Sequence, residues 1–188
     1  LGGVLVENRT FQRLKRLVPE APDNDTLKDR WLRSEAVREF ELGRSTPAAF
    51  AADFVEEWGL SIAADGFLAE FAAWPVGFYP EARDLLHQLR QRYRVGCLSN
   101  ANAVHWKRFS GFSEDFDIAL SSHLLGAVKP DRAAFACALR ECGAAPHEVC
   151  FFDDSRANVA AAQDAGMGAF HVDGFEALQA VLRTEGLL

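Results

Sequence analysis

The sequence predicts an α/β protein: a parallel sheet flanked by helices, carrying a small all-helical insertion after its first strand. Three observations predict it. Between residues 10 and 74, apolar residues such as Phe11, Leu14, Leu17, Phe50, Phe54, Val55 and Trp58 recur at three- and four-residue spacing, with almost no strand signal. After Pro80, short apolar runs alternate with amphipathic stretches, the rhythm of βαβ units. The opening, Leu1-Gly2-Gly3-Val4-Leu5-Val6, reads as the exit from a strand, so a first strand is expected ahead of Leu1. The expected division is a core of residues 1–9 and 76–188, and a helical insertion of residues 10–75.

Within the insertion, Pro22-Asp23-Asn24-Asp25 ends the first helix, Gly43-Arg44-Ser45-Thr46-Pro47 the second and Trp58-Gly59-Leu60 the third. Thr46-Pro47 reads as an N-cap followed by proline in the first turn. In the core, strands are expected at residues 95–98, 118–121, 149–152 and 169–172. Helices are expected near 81–92, 102–109, 132–141, 155–165 and 175–183. The strand ahead of Leu1 would make five.

At 188 residues the chain suits one domain with an insert, and 49% hydrophobic with 25% charged residues is ordinary globular composition. The net charge of −7, without a Lys/Arg run, argues against a nucleic-acid partner. No apolar stretch is long enough to cross a bilayer and no signal peptide opens the chain, so no membrane association and a cytoplasmic location are expected. Cys97, Cys137, Cys142 and Cys150 form no C-x-x-C pair and are expected as buried free thiols, and the five histidines show no zinc-binding spacing. No interaction motif stands out; a monomer or homodimer is expected.

In such a sheet, ligands bind beyond the carboxyl ends of the strands, so polar residues there are the candidates. Asp153 and Asp154 stand side by side at a strand end, where two carboxylates repel unless a cation offsets them. With only oxygen donors at hand the cation indicated is Mg2+; the alternative is that Asp154 or Ser155 caps the following helix. Ser99 and Asn100 end a strand ahead of a helix and face an anionic ligand, or else form a turn and cap. Lys129, held in a loop by Pro130, either neutralises phosphate and carboxylates together or is simply solvated. The conjunction of the three at successive strand ends favours a phosphate site.

Leu98-Ser99-Asn100, Val128-Lys129-Pro130-Asp131 and Phe152-Asp153-Asp154-Ser155-x-x-Asn158 resemble, in order and spacing, motifs two to four of the haloacid dehalogenase-like (HAD-like) hydrolase superfamily. Leu1-Gly2-Gly3-Val4-Leu5 resembles the tail of its motif one, which would place the nucleophilic aspartate immediately before Leu1. The resemblance covers essentially the whole chain and implies a Rossmann-like core with the helical cap of subfamily I. Asn102 and His105-Trp106 make the chain similar to sugar-phosphate phosphatases and the phosphatase-like N-terminal group of epoxide hydrolases.

The resemblance implies a magnesium-dependent phosphatase of small phosphorylated metabolites working through an aspartyl-phosphate. By it, Ser99 and Asn100 would bind the transferring phosphoryl group and Lys129 would neutralise it. Asp153, Asp154 and the Gly2 carbonyl would hold magnesium. His105 would touch substrate or pack beneath the cap. Trp31, Arg33, Glu35, Arg38 and Phe40 would line the lid, or form a solvated face. Where most such phosphatases carry a second aspartate as general acid and base, this sequence has Gly2, so water or a cap residue would have to substitute. The rival readings are a haloacid dehalogenase and a non-catalytic phosphate-binding relative.

Overall fold

The computed structural model describes residues 1–19, 22–108 and 111–188. β1 (Val6–Asn8) and β2 (Pro75–Phe78) pair antiparallel, Val6 against Phe78 and Asn8 against Pro75. Between them lie α1 (Thr10–Leu17), α2 (Asn24–Arg33), α3 (Glu35–Glu41), α4 (Pro47–Trp58) and α5 (Ala64–Ala72). Their inward faces build a core of their own from Leu14, Leu27, Phe40, Phe50, Phe54, Trp58, Phe67, Phe71 and Trp74. Phe40 stacks on Phe50 at 4.2 Å and Phe54 on Phe67 at 4.7 Å. Each such ring, fully buried, contributes about 1.5–3 kcal/mol.

The single helix expected between the Pro22–Asp25 and Gly43–Pro47 breaks is two, divided at Ser34. The Ser34 hydroxyl accepts from the Val37 N–H at 3.2 Å, capping α3, and donates to Glu57 Oε2 at 3.1 Å. The strand pair β1–β2 is also absent from the sequence expectation. Its strands are three and four residues long, and Pro75, which lacks an N–H, is tolerated because β2 is an edge.

The remainder follows the expected alternation: α6 (Ala82–Arg90), β3 (Gly96–Ser99), α7 (Ala103–Arg108), β4 (Ile118–Ser121), α8 (Ser122–Leu125), α9 (Arg132–Cys142), β5 (Cys150–Asp153), α10 (Arg156–Asp164), β6 (Gly168–His171) and α11 (Phe175–Thr184). Strand ends differ from expectation by at most one residue; the expected end of the α7 helix, Phe109, lies outside the described residues. β3 pairs parallel with β4, and β5 with β6. Successive residues face opposite layers: Cys97 and Phe152 join Leu85, Leu86, Phe175 and Leu182, whereas Leu98 and Phe151 join Phe135, Ala162 and Met167. Helices therefore cover both faces.

One expectation is corrected at the cysteines. All four are free and Cys97 is buried, but Cys137 and Cys142 are half-buried and Cys150, at the start of β5, is exposed. Among the described residues, no helix is long and apolar enough to cross a membrane.

Candidate active site

One side chain reaches both β3 and β5. Lys129, 7% exposed, extends its ammonium between them and donates to the Leu98 carbonyl of β3 at 2.8 Å and to Asp153 Oδ2 of β5 at 2.6 Å. Asn100 sets the loop that carries it: Asn100 Nδ2 donates to the Lys129 carbonyl and the Lys129 N–H donates to Asn100 Oδ1, both at 2.8 Å. Two of the three ammonium protons are thus committed, and the third remains for a ligand.

The two neighbouring aspartates have different surroundings. Asp153 Oδ1 accepts from the Ser155 N–H and from Asn158 Nδ2, both at 2.9 Å, while Oδ2 takes Lys129. Burial pushes its carboxyl up, but the Lys129 ammonium and these hydrogen bonds outweigh burial and hold it below its ordinary value. Asp153 is therefore an ionised, fully bonded carboxylate. The Asp154 carboxylate takes a hydrogen bond from its own backbone N–H but, among the described residues, none from another side chain, and burial together with the Asp153 charge raises it.

The opening turn closes against Asp154. The Leu1 carbonyl accepts the N–H groups of Val4, Leu5 and Val6, whereas no main-chain hydrogen bond among the described residues falls on the Gly2 carbonyl. Gly3 adopts φ +77°, and a Cβ built there would stand 2.4 Å from Asp154 Oδ2, so only glycine lets the chain lie this close to the carboxylate.

These features fit a hard cation. The Asp154 carboxylate lies against the opening turn whose Gly2 carbonyl takes no main-chain hydrogen bond, and among the described residues no three His, Cys, Asp or Glu side chains gather. Magnesium, which retains waters and takes one or two carboxylates, suits such a sparse donor set better than an ion needing a full protein cage. Asp154 and the Gly2 carbonyl would hold it.

Ser99, 6% exposed, ends β3; Gly2, Asn8, Ser99, Asn100 and His105 line a pocket of about 80 Å3. Ser122 fixes the floor beside it, its hydroxyl accepting from the Ala101 N–H at 3.0 Å and donating to the Ala101 carbonyl at 2.9 Å.

Residues 2–166 match the haloacid dehalogenase-like hydrolase family. The chain belongs to that family. A phosphatase from Mycobacterium tuberculosis is 35% identical over 100 residues, 50% of this chain and 46% of that protein, so the match spans about half the length of the relative. A HAD family enzyme from Bacteroides thetaiotaomicron has a TM-score of 0.74 at 28% identity over 92% of this chain and 90% of its own. The same enzyme is known in complex with magnesium and inorganic phosphate, at TM-score 0.72 and 27% identity. A HAD-like family hydrolase from Porphyromonas gingivalis, 23% identical, shares the fold with a TM-score of 0.78 over 98% of this chain and 94% of its own.

In this HAD-like chain His105 sits at the pocket wall with both ring nitrogens engaged. Nε2 lies 2.8 Å from the Phe71 carbonyl and Nδ1 lies 3.3 Å from Asn102 Nδ2, which assigns the proton to Nε2. The ring stacks on Phe71 at 4.1 Å, and burial pushes its pKa down to about 4, so it is neutral at physiological pH. Of the residues named for the lid, Phe40 and Trp31 pack within the helical layer, Arg33 and Glu35 are exposed, and Arg38 forms an ion pair with Asp131 at 2.8 Å.

One residue of the pocket and one near Lys129 were not singled out from the sequence. Asn8 Nδ2 stands 3.1 Å from the position a Cβ on Gly2 would take, filling the space a larger side chain would claim. Glu41, in the last turn of α3, is half-buried and pushed up to about 7 by burial, while Lys129 pulls it the other way. A larger cavity of about 430 Å3, lined by Arg156, Gln163, His171 and Val181, lies along β6 and includes none of Ser99, Lys129 or Asp154.

Proposed function

We propose that this site performs magnesium-dependent hydrolysis of small phosphate monoesters, sugar phosphates among them, through an aspartyl-phosphate intermediate. The observation that carries the reading is the division of labour between the two aspartates: Lys129 occupies Asp153, and Asp154 is left without a side-chain partner against the opening turn at Gly3. The complex of the Bacteroides thetaiotaomicron enzyme with magnesium and inorganic phosphate, and the phosphatase among the relatives, support it.

Magnesium bound at Asp154 would neutralise charge on the phosphoryl oxygens. The chain's own residues do the rest. The third Lys129 proton and the Ser99 hydroxyl reach the same oxygens, and Asn100 holds the Lys129 backbone in place. The attacking carboxylate is the aspartate that the family resemblance places ahead of Leu1. A haloacid dehalogenase needs no cation and would leave Asp154 without a task.

The test is hydrolysis of a phosphate-monoester panel by the full-length protein with magnesium and with chelator, alongside calorimetric titration of magnesium. Magnesium-dependent release that disappears in Asp154→Asn, together with loss of magnesium binding, is expected. Phosphate release that is indifferent to both chelator and Asp154→Asn would overturn the reading.

A further inference from the structure

Hydrolysis of a sugar or alkyl phosphate expels an alkoxide, which must be protonated as it leaves. The groups already placed in the cleft cannot do this. Gly2 has no side chain. Lys129 gives two of its protons to Leu98 and Asp153 and its third to the phosphoryl oxygens, Asp153 is ionised and bonded on both oxygens, and Asp154 is the carboxylate assigned to the cation. His105 is neutral, its one N–H given to the Phe71 carbonyl. The Ser99 hydroxyl is too weak an acid.

One carboxylate remains. α3 is fixed over the Lys129 loop by Arg38, which binds Asp131 two residues beyond Lys129, and the turn after α3 is fixed against α8, where Gly43 approaches His123 so closely that a Cβ would stand 2.2 Å from its carbonyl oxygen. Glu41 follows Arg38 by three positions and so shares the helix face that Arg38 turns to this loop. Among the described residues, no hydrogen bond or ion pair falls on its carboxylate. The other charges packed around α3 are occupied elsewhere. Arg44 pairs with Glu39, and His123 Nδ1 lies 2.6 Å from Ser121 Oγ. From α4 and α2, Glu57 binds Ser34 and the Ala36 N–H while Arg30 donates to the Glu57 carbonyl. The ionisable group that acts on Glu41 is Lys129.

We propose that Glu41 is the general acid and base of the hydrolysis, an inference that rests on the phosphatase reading above. In the first step the P–O bond to the aspartate forms as the ester P–O bond breaks, and the Glu41 proton passes to the departing oxygen, giving a neutral alcohol. In the second, water attacks phosphorus and gives its proton to the Glu41 carboxylate. The P–O bond to the aspartate breaks, inorganic phosphate leaves and Glu41 is again an acid. The carboxyl titrates near neutrality, where one group serves both directions.

The test compares full-length wild type, Glu41→Gln and Glu41→Asp on a hexose phosphate and on 4-nitrophenyl phosphate, whose leaving group needs no proton. For Glu41→Gln, kcat/KM for the hexose phosphate should fall about 100- to 10,000-fold. The aryl ester should give a burst near one nitrophenolate per enzyme followed by slow turnover. The fall of kcat/KM above about pH 7 should vanish in Glu41→Gln, and Glu41→Asp should recover part of the activity. Carbon-13 NMR of the glutamate carboxyls should show one group titrating near 7 that Glu41→Gln lacks, and circular dichroism should show both variants folded. Equal losses on both substrates without a burst, or a change in KM alone, would overturn the proposal and leave Glu41 a binding residue. Wild type that hydrolyses neither substrate with magnesium would remove the phosphatase reading, and this inference with it.

Discussion

Lys129 Nζ lies 2.6 Å from Asp153 Oδ2, and the two side chains are 5% and 6% exposed. With the bond from Lys129 to the Leu98 carbonyl it links the ends of β3 and β5, so it is a structural tie as well as an electrostatic one. Lys129→Met leaves a buried carboxylate without its counter-charge and should cost about 3–5 kcal/mol in urea unfolding. Asp153→Asn should also destabilise. The double variant should be more stable than the sum of the singles implies, because neither buried charge is then orphaned. Additive losses would show that the two do not act as a pair.

Gly3→Ala should weaken magnesium binding. The added Cβ would collide with Asp154 Oδ2, and the backbone is held at φ +77°. Calorimetry should show at least a tenfold loss of affinity, with a stability cost of at least about 1 kcal/mol. Gly2→Ala, whose Cβ meets the Asn8 side chain, its Nδ2 at 3.1 Å and its Cβ at 3.4 Å, and not Asp154, should bind the cation. Equal effects at the two glycines would count against the assigned cation position.

Gly43→Ala should loosen the helical layer from the core. Its φ of +73° and the 2.2 Å approach to the His123 carbonyl leave no room for a methyl group. The expected result is faster proteolysis within residues 43–47 and a loss of about 2 kcal/mol or more, by the strain and overpacking that such a site imposes. Unchanged proteolysis and unfolding would show that this contact does not hold α3.

The Glu41 carboxyl has a folded-state pKa of about 7 against an ordinary 4.5, so the folded protein binds this proton more tightly than the unfolded chain. Its contribution is therefore favourable below about pH 4.5 and is lost as pH rises to about 7. Glu41→Gln should match wild type near pH 4 and exceed it by about 1–3 kcal/mol at pH 8, measured by urea unfolding. A constant difference across that range would show that the carboxyl titrates normally.

The strand-end residues were legible because each is contiguous with its strand in sequence: Ser99-Asn100 with β3, Asp153-Asp154 with β5, and Lys129 pinned by Pro130. Glu41 was not. It sits among Arg33, Glu35, Arg38 and Glu39, a pattern that reads as a solvated face, and the Lys129 charge that acts on it and the Asp131 that holds Arg38 of its helix lie about ninety residues downstream. The fate of His105 was hidden likewise, since its partner is the Phe71 carbonyl of α5. The split at Ser34 does have a local signal, a serine three residues before Val37. The uninterrupted helical pattern on both sides masks it. β1 and β2 escaped because strands this short are recognisable only by pairing, and their partners lie about seventy residues apart.

The β1–β2 ladder, extended by the Arg9 N–H to the Trp74 carbonyl at 3.2 Å, brings the two ends of the helical segment together. Topologically the whole segment is a detour that leaves and re-enters by one doorway. A foreign segment with ends a few ångström apart would fit that doorway without moving Ser99, Lys129 or Asp154. Selectivity can thus diverge by exchange of one contiguous cassette, while the residues beyond the strand ends evolve under a separate constraint.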